Sequence, residues 1–422
     1  MILGLLVAEV VILSRLDRRR FGTWLTPFTT LAYPYAAVAV LAYFLAPIFD
    51  FVPLYTGSVL VWIVGLFVVW SAGTFLGWGL LDLRLSPGFH TRLFPQAQLD
   101  DRAVSWAVRL AWASMPVMLY GIIVSAKAAG GWAEIGSTDF RDAYSHGLHA
   151  HAVVLATLLS IFLIGVRQRG DKRLLLTIAM LLGFITLGRV KGTILQAVIG
   201  GFFFRSLRGQ FHPSLRKIGM LGLLSYVVFN IVYLISMSVL SSDDPLNPEV
   251  YSFLARHYLF YLFAGPLAFG EAMRSGVSDV GGDWHAIFSP FINLYHAGFG
   301  GALLATGSAH EKGVGTDLLT NVGDTNVYSF FGTLHLYLGT PGALLYAFVA
   351  GLLCYGFLIA IKRANSVWLT AAYCLVAAQL ALGFFELYFW ILTCYEIIVM
   401  AILLTVASRL TSHSSVTGHV TA

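Results

Sequence analysis

The sequence predicts an all-α polytopic membrane protein, and three observations carry that expectation. Of its 422 residues, 58% are hydrophobic and only 11% are charged, against about 25% charged residues in an average soluble domain; the mean hydropathy is +0.78. Long apolar runs recur from end to end, and no stretch has the composition of a soluble catalytic domain, so any chemistry belongs within the membrane or at its faces. The basic residues are unevenly shared between alternate loops. A net charge of +5 distributed in this way speaks of topology and not of nucleic acid, which is not an expected partner. Residues 1–422 are therefore read as a single integral membrane domain.

About 20 apolar residues cross a bilayer as a helix. The first run, "MILGLLVAEVVIL", is followed by "SRLDRRR", the reverse of a signal peptide's charge order, and reads as a retained anchor with its N-terminus outside. In order, eleven candidate spans lie near 1–13, 28–49, 57–81, 104–127, 149–166, 174–187, 193–204, 218–240, 341–361, 367–385 and 391–408. With "RLDRRR" in the cytoplasm, alternation places the loops 82–103, 167–173, 205–217 and 362–366 and the tail from Arg409 inside too. These segments hold 18 of the 26 Lys and Arg. Arg109 lies just inside the fourth span. Lys127, Arg141, Arg189, Lys191, Arg256, Arg274 and Lys312 are left outside, the asymmetry that the positive-inside rule demands.

The same rule makes 174–204 a hairpin, since one long helix would send "RSLRGQFHPSLRK" outward. The arms, 174–187 and 193–204, are short: the longer rises only about 21 Å into a hydrocarbon core of about 30 Å. The turn "GRVKG", 188–192, then stops short of the outer surface, where irregular backbone is tolerated only if it lines a polar cavity or is buried in protein. Arg189 and Lys191 are thus expected to face an outward cavity. Two cations so close suit a phosphate or pyrophosphate, bound bidentately by Arg and as a point charge by Lys. The alternative is pairing with an acid such as Glu386 or Glu396, or with lipid phosphate.

Two further segments fall outside. The smaller loop, 129–148, and the helix start after it carry "STDFRDAYSHGLHAH". There Arg141 stands between Asp139 and Asp142, either paired with them or available to an anion, and His146, His149 and His151 follow. The larger loop, 241–340, contains "VYSFLARHYLFYLFAGPLAFGEAMR", which predicts an interfacial or re-entrant helix, a turn at Gly265–Pro266 and a second short helix. It presents Arg256, His257 and Arg274, and further along His285 and His296. No HExxH, GxSxG, Walker A or GxGxxG motif occurs. Asp243–Asp244 reads as a solvated turn beside Pro245, and Asp100–Asp101 as cytoplasmic. Cys354, Cys374 and Cys394 fall in spans without ligand spacing, so neither disulfides nor a metal or other cofactor are expected.

Several of these stretches resemble the O-antigen polymerase family, the Wzy-type oligosaccharide repeat-unit polymerases. "NVGDTNVYSFFGTLHLYLGTPGALLYAFVAGLLCYGFL", 321–358, is similar to the segment in which Asn-x-Tyr precedes a Gly-x-x-Gly that opens a transmembrane helix. "GRVKGTILQAVIGG" resembles the family's basic turn, "RHYLFYLFAGPLAF" the start of its large periplasmic loop, and "FRDAYSHG" its smaller basic loop. The resemblance covers most of 140–360. It implies a metal-independent bundle similar to the C-type glycosyltransferases, in the bacterial inner membrane with its site facing the periplasm. The partners it implies are polyprenyl-pyrophosphate-linked oligosaccharides, membrane lipid and a chain-length regulator protein. By position it gives Arg141, Arg189, Arg256 and Arg274, with Lys191 assisting, to the pyrophosphates. The related ligases place a functional histidine before the Gly-x-x-Gly helix; here Asn326 and Tyr328 stand there, so the base falls to His257 or, second, His335. A lipid-linked oligosaccharide flippase and an O-antigen ligase are the rival readings.

Overall fold

The computed structural model describes residues 1–80, 101–187 apart from 136 and 169, 191–230 apart from eight scattered positions, 248–276, 284–302, 304 and 327–417. Every regular element among them is helical. In chain order these are α1 (Ile2–Phe21), α2 (Pro27–Leu45), α3 (Thr56–Thr74), α4 (Asp101–Ala128), α5 (Thr138–Tyr144), α6 (Leu148–Val166), α7 (Lys172–Leu187), α8 (Lys191–Leu207), α9 (Pro248–Arg274), α10 (Trp284–Phe299), α11 (Phe330–Ala364), α12 (Val367–Ala381) and α13 (Thr393–Thr417).

Six helices among the described residues are long and apolar enough to cross a membrane: α2, α3, α4, α6, α11 and α13. The expected eleven spans are therefore too many. The first candidate runs on in α1 through Arg15, Asp17 and Arg18–Arg20, which dilute its apolar character. The hairpin arms and α12 have only 16, 17 and 15 residues. Most of the candidate at 218–240 lies outside the described residues.

The helix ends sort into two sets. At one, the basic end, α1, α2, α3, α11, α12 and α13 meet. Arg20 donates to Thr74 at 2.8 Å, Tyr373 to the Leu25 carbonyl at 2.6 Å, and Arg409 to the Ala364 carbonyl at 3.0 Å. Arg205 of α8 donates to the Arg167 carbonyl after α6 at 3.2 Å. Helices α6 and α8 run parallel, because Gly200 faces Ile161 and Phe204 faces Gly165. With α7 between them in sequence, α7 and α8 form the expected hairpin, its turn at the opposite, far end. Close approach depends on these glycines, since a β-carbon at Gly165 would lie 2.3 Å from the Phe204 ring.

Helix α12 is the axis of the bundle. It is apolar on every side and buried almost throughout, as a helix without a polar face must be. Around it pack α2, α6, α8 and α13.

Helix α11 is broken. At Gly339 the backbone leaves helical geometry (φ 66°, ψ 172°), a conformation that glycine adopts without penalty. Had the helix run straight, Phe331 would lie about 30 Å from Gly351. Yet Phe331 packs on Gly65 and Gly351 on Ala72, positions only about 10 Å apart along α3. The first half, Phe330–Tyr337, therefore folds back into the bundle, where all of it is buried.

Helix α9 corrects a second expectation. It continues through Gly265–Pro266 without a turn. Pro266 gives up one backbone bond, and Gly265 lies against the Phe384 and Phe385 carbonyls, where a side chain would have forced the helix away. It packs over the connection from α2 to α3: Arg256 donates to the Phe49 carbonyl at 3.2 Å, Phe263 meets Phe51, and Gly270 faces Tyr55.

Candidate functional site

The far ends of α6, α7, α8 and α13, with the end of α5, enclose a cavity of about 240 Å³. Its walls are mostly apolar, among them Val153, Val154, Ile185 and Leu392; Tyr144, Ser145, His151, Thr193 and Glu396 bring polar groups to it. Ile185 of α7 and Thr193 of α8 both line it, on either side of 188–190 in the sequence. Gly188, Arg189 and Val190 themselves lie outside the described residues. Lys191 opens α8.

The polar groups have distinct states. His151 Nδ1 donates to Glu396 Oε1 at 2.6 Å, with the imidazole half exposed and the carboxylate largely covered. Tyr144 is 2% exposed. Its ring stacks between Phe140 and His149, and burial pushes its phenol up to about 12, so it stays a donor. Among the described residues its hydroxyl has no partner. The other two histidines of this stretch are structural. His149 Nε2 lies 3.3 Å from the Ala143 carbonyl and its ring covers Gly121. His146 Nδ1 donates to the Asp142 carbonyl at 2.6 Å.

The connection 382–392, between α12 and α13 and helical only in the short 3-10 turn Tyr388–Trp390, joins this cavity to the rest of the predicted site. The Gly383 carbonyl accepts from Tyr35 Oη at 2.9 Å and from the Phe330 amide at 2.6 Å, fixing the start of the folded-back half of α11. Tyr388 reaches the hairpin, where a β-carbon on Gly192 would come within 3.2 Å of its hydroxyl. Phe385 stacks on Tyr261 of α9. A buried polar chain runs beside it: Cys394 donates to Gln379 Oε1 at 2.7 Å, and Gln379 to Gln196 Oε1 at 3.3 Å.

The remaining predicted residues occupy several elements. Arg141 lies on α5. Arg256 and His257 lie on α9, the first 4.0 Å from Asp50, the second stacked between Phe253 and Phe260 with Tyr261 at its edge. Arg274, at the exposed end of α9, pairs with Glu271 at 2.6 Å, a hydrogen bond and charge that hold its guanidinium above the ordinary value. His335 is buried in the folded-back half of α11, its Nδ1 3.2 Å from Thr340 Oγ1 and its ring against Phe269. Asn326 lies outside the described residues.

A model described as a family of unknown function (DUF6337) matches residues 50–414. The chain belongs to that family. No curated protein and no solved structure matches it. In this DUF6337 chain the matched span takes in every residue lining the cavity, as well as α9 and the connection 382–392.

Sequence reasoning missed the His151–Glu396 pair and the Tyr144 hydroxyl. The signal for the first was a lone carboxylate in the first turn of an apolar helix, "TCYEIIVM", where a charge stands only with a partner.

Proposed function

We propose that this protein is a membrane glycosyltransferase that polymerises polyprenyl-pyrophosphate-linked oligosaccharide repeat units into O-antigen or a related surface polysaccharide. The observation that carries the reading is that Ile185 and Thr193, which flank the basic stretch 188–192 in the sequence, line a cavity at the end of the bundle opposite the arginine-rich helix ends. The resemblance of 140–360 to the Wzy-type polymerases supports it. In this reading the basic end is cytoplasmic, the far end faces the periplasm, and the shorter helices α1, α7, α8 and α12 complete the bundle.

The chemistry follows from what the cavity edge offers. The growing glycan moves from its carrier to a hydroxyl at the non-reducing end of a new lipid-linked unit. A C–O bond forms between the donor's anomeric carbon and that hydroxyl oxygen, the anomeric C–O bond to pyrophosphate breaks, and its electron pair leaves with polyprenyl pyrophosphate. Fixed cations stabilise the charge that develops there. Arg189 and Lys191 take that task at the turn, and Arg141, Arg256 and Arg274 hold the second pyrophosphate or guide entry. Because Arg274 is already engaged by Glu271, it serves only if an incoming anion displaces that partly covered carboxylate.

One observation favours a second reading, a lipid-linked oligosaccharide flippase. Broken helices such as α11 at Gly339, and the unwound connection 382–392, are how many transporters build a site between helix halves. Deleting the gene and separating the surface polysaccharide on a gel tests both. A single-repeat pattern is expected for a polymerase; a bare core means a flippase or a ligase.

A further inference from the structure

Resting on the glycosyltransferase reading, we infer that His151, held by Glu396, is the base that deprotonates the acceptor hydroxyl, and that the cavity they line is the acceptor-sugar site. Two observations point there. First, the imidazole and carboxylate come from α6 and α13, 245 residues apart in the chain, and meet at 2.6 Å, a distance typical of a charge-assisted bond. With Nδ1 donating to Glu396, the neutral ring carries its lone pair on Nε2, the nitrogen left to receive a proton. Second, the cavity they share is walled by apolar side chains with a few convergent polar groups, the usual character of a small-molecule site.

His257 is held between aromatic rings on α9, and the Nδ1 of His335 is engaged by Thr340. In the transfer step the hydroxyl proton passes to His151 Nε2 as its oxygen bonds to the anomeric carbon. Glu396 stabilises the imidazolium that forms, and the proton is lost to water afterwards. His151 is thus the catalytic residue of the pair and Glu396 its positioning residue.

The test uses full-length protein in proteoliposomes, with lipid-linked repeat units extracted from cells lacking the gene, and rates expressed per monodisperse protein. His151→Gln is expected to lower kcat by about 10²–10⁴, the range of general acid–base catalysis, with KM little changed. His151→Gly should regain turnover when imidazole is added, which a structural histidine would not. Glu396→Gln should reduce kcat more than Glu396→Asp. Parental kcat in His151→Gln overturns the assignment, as does a loss confined to KM or a His151→Gly protein that imidazole cannot rescue. If the parent protein itself joins no lipid-linked units, the glycosyltransferase reading falls and takes this assignment with it.

Discussion

The Asp17 carboxylate and the Tyr355 hydroxyl, 338 residues apart in sequence, are joined by a hydrogen bond at the basic end of the bundle, both of them fully buried. The same carboxylate oxygen accepts from Thr26 at 2.7 Å, so one acid ties α1, α2 and α11 together. Asp17→Ala leaves two hydroxyls without their acceptor and is expected to destabilise the protein by about 1–3 kcal/mol for each. Tyr355→Phe removes one donor and should cost less. Thermal unfolding of detergent-purified variants, read as a double-mutant cycle, checks this; a coupling energy near zero would mean that the bond contributes nothing.

The topology is open to single-cysteine labelling, since the native Cys354, Cys374 and Cys394 are all buried. Ser145→Cys, at the mouth of the cavity, should react in whole cells with an impermeant reagent. Gln210→Cys, beyond the basic end of α8, should react only after permeabilisation. Labelling of both in intact cells would refute the hairpin.

The turn at 188–192 should behave as a pyrophosphate clamp. Arg189→Ala is expected to reduce polymer per membrane-inserted protein by about 10²–10³, the usual cost of a lost oxyanion-type donor. Arg189→Lys keeps the charge but loses the fork, and should also be badly impaired. Lys191→Arg should be milder. If Arg189→Lys works like the parent, the cations are holding helices together instead.

Glycine substitutions should divide by what a β-carbon would meet. At Gly265 it would lie 2.6 Å from the Phe385 carbonyl oxygen and 2.7 Å from that of Phe384, backbone atoms that cannot step aside. Gly265→Ala is expected to cost about 1–3 kcal/mol, as other overpacked interiors do. Gly356 has nothing within 4 Å of that position, and Gly356→Ala should be neutral or stabilising by about 0.5–1 kcal/mol. Equal shifts in melting temperature for the two would contradict the packing of α9 on the connection 382–392.

Much of the architecture was legible in the sequence because apolar length and charge placement are local properties. Arg18–Arg20, Arg205 and Arg409 mark the helix ends that the structure gathers together. The hairpin of α7 and α8 followed from the same residues. What was not legible depends on pairing at a distance. Asp17 sits in an arginine run and reads as a solvated charge until Tyr355 is placed against it. Glu396 was visible only as an acid in want of a cation, and nothing local names His151 as its partner. The passage of α9 through Gly265–Pro266 reverses the local signal, since these two residues usually end a helix and here the carbonyls of another segment require the glycine. The eleven-span count overshot because the two hairpin arms and α12, each counted as a span, have only 15–17 residues.

The bonds that meet at Gly383 carry a consequence for how the chain is made. Tyr35 Oη donates to the Gly383 carbonyl, the same carbonyl accepts from Phe330, and the Phe331 amide donates back to Tyr35. The two bonds to that carbonyl cannot form until residue 383 has left the ribosome, 348 residues after Tyr35. At about 5–20 residues per second that wait is roughly 20–70 s. For that interval α2 sits in the membrane with an apolar-facing hydroxyl unsatisfied, and the half-helix that follows Ser329 has no slot to enter. The second helix of the protein is thus among the last to be finished, and a stalled or truncated chain ending before Gly383 should be recognised as unassembled and degraded, however well its individual spans have inserted.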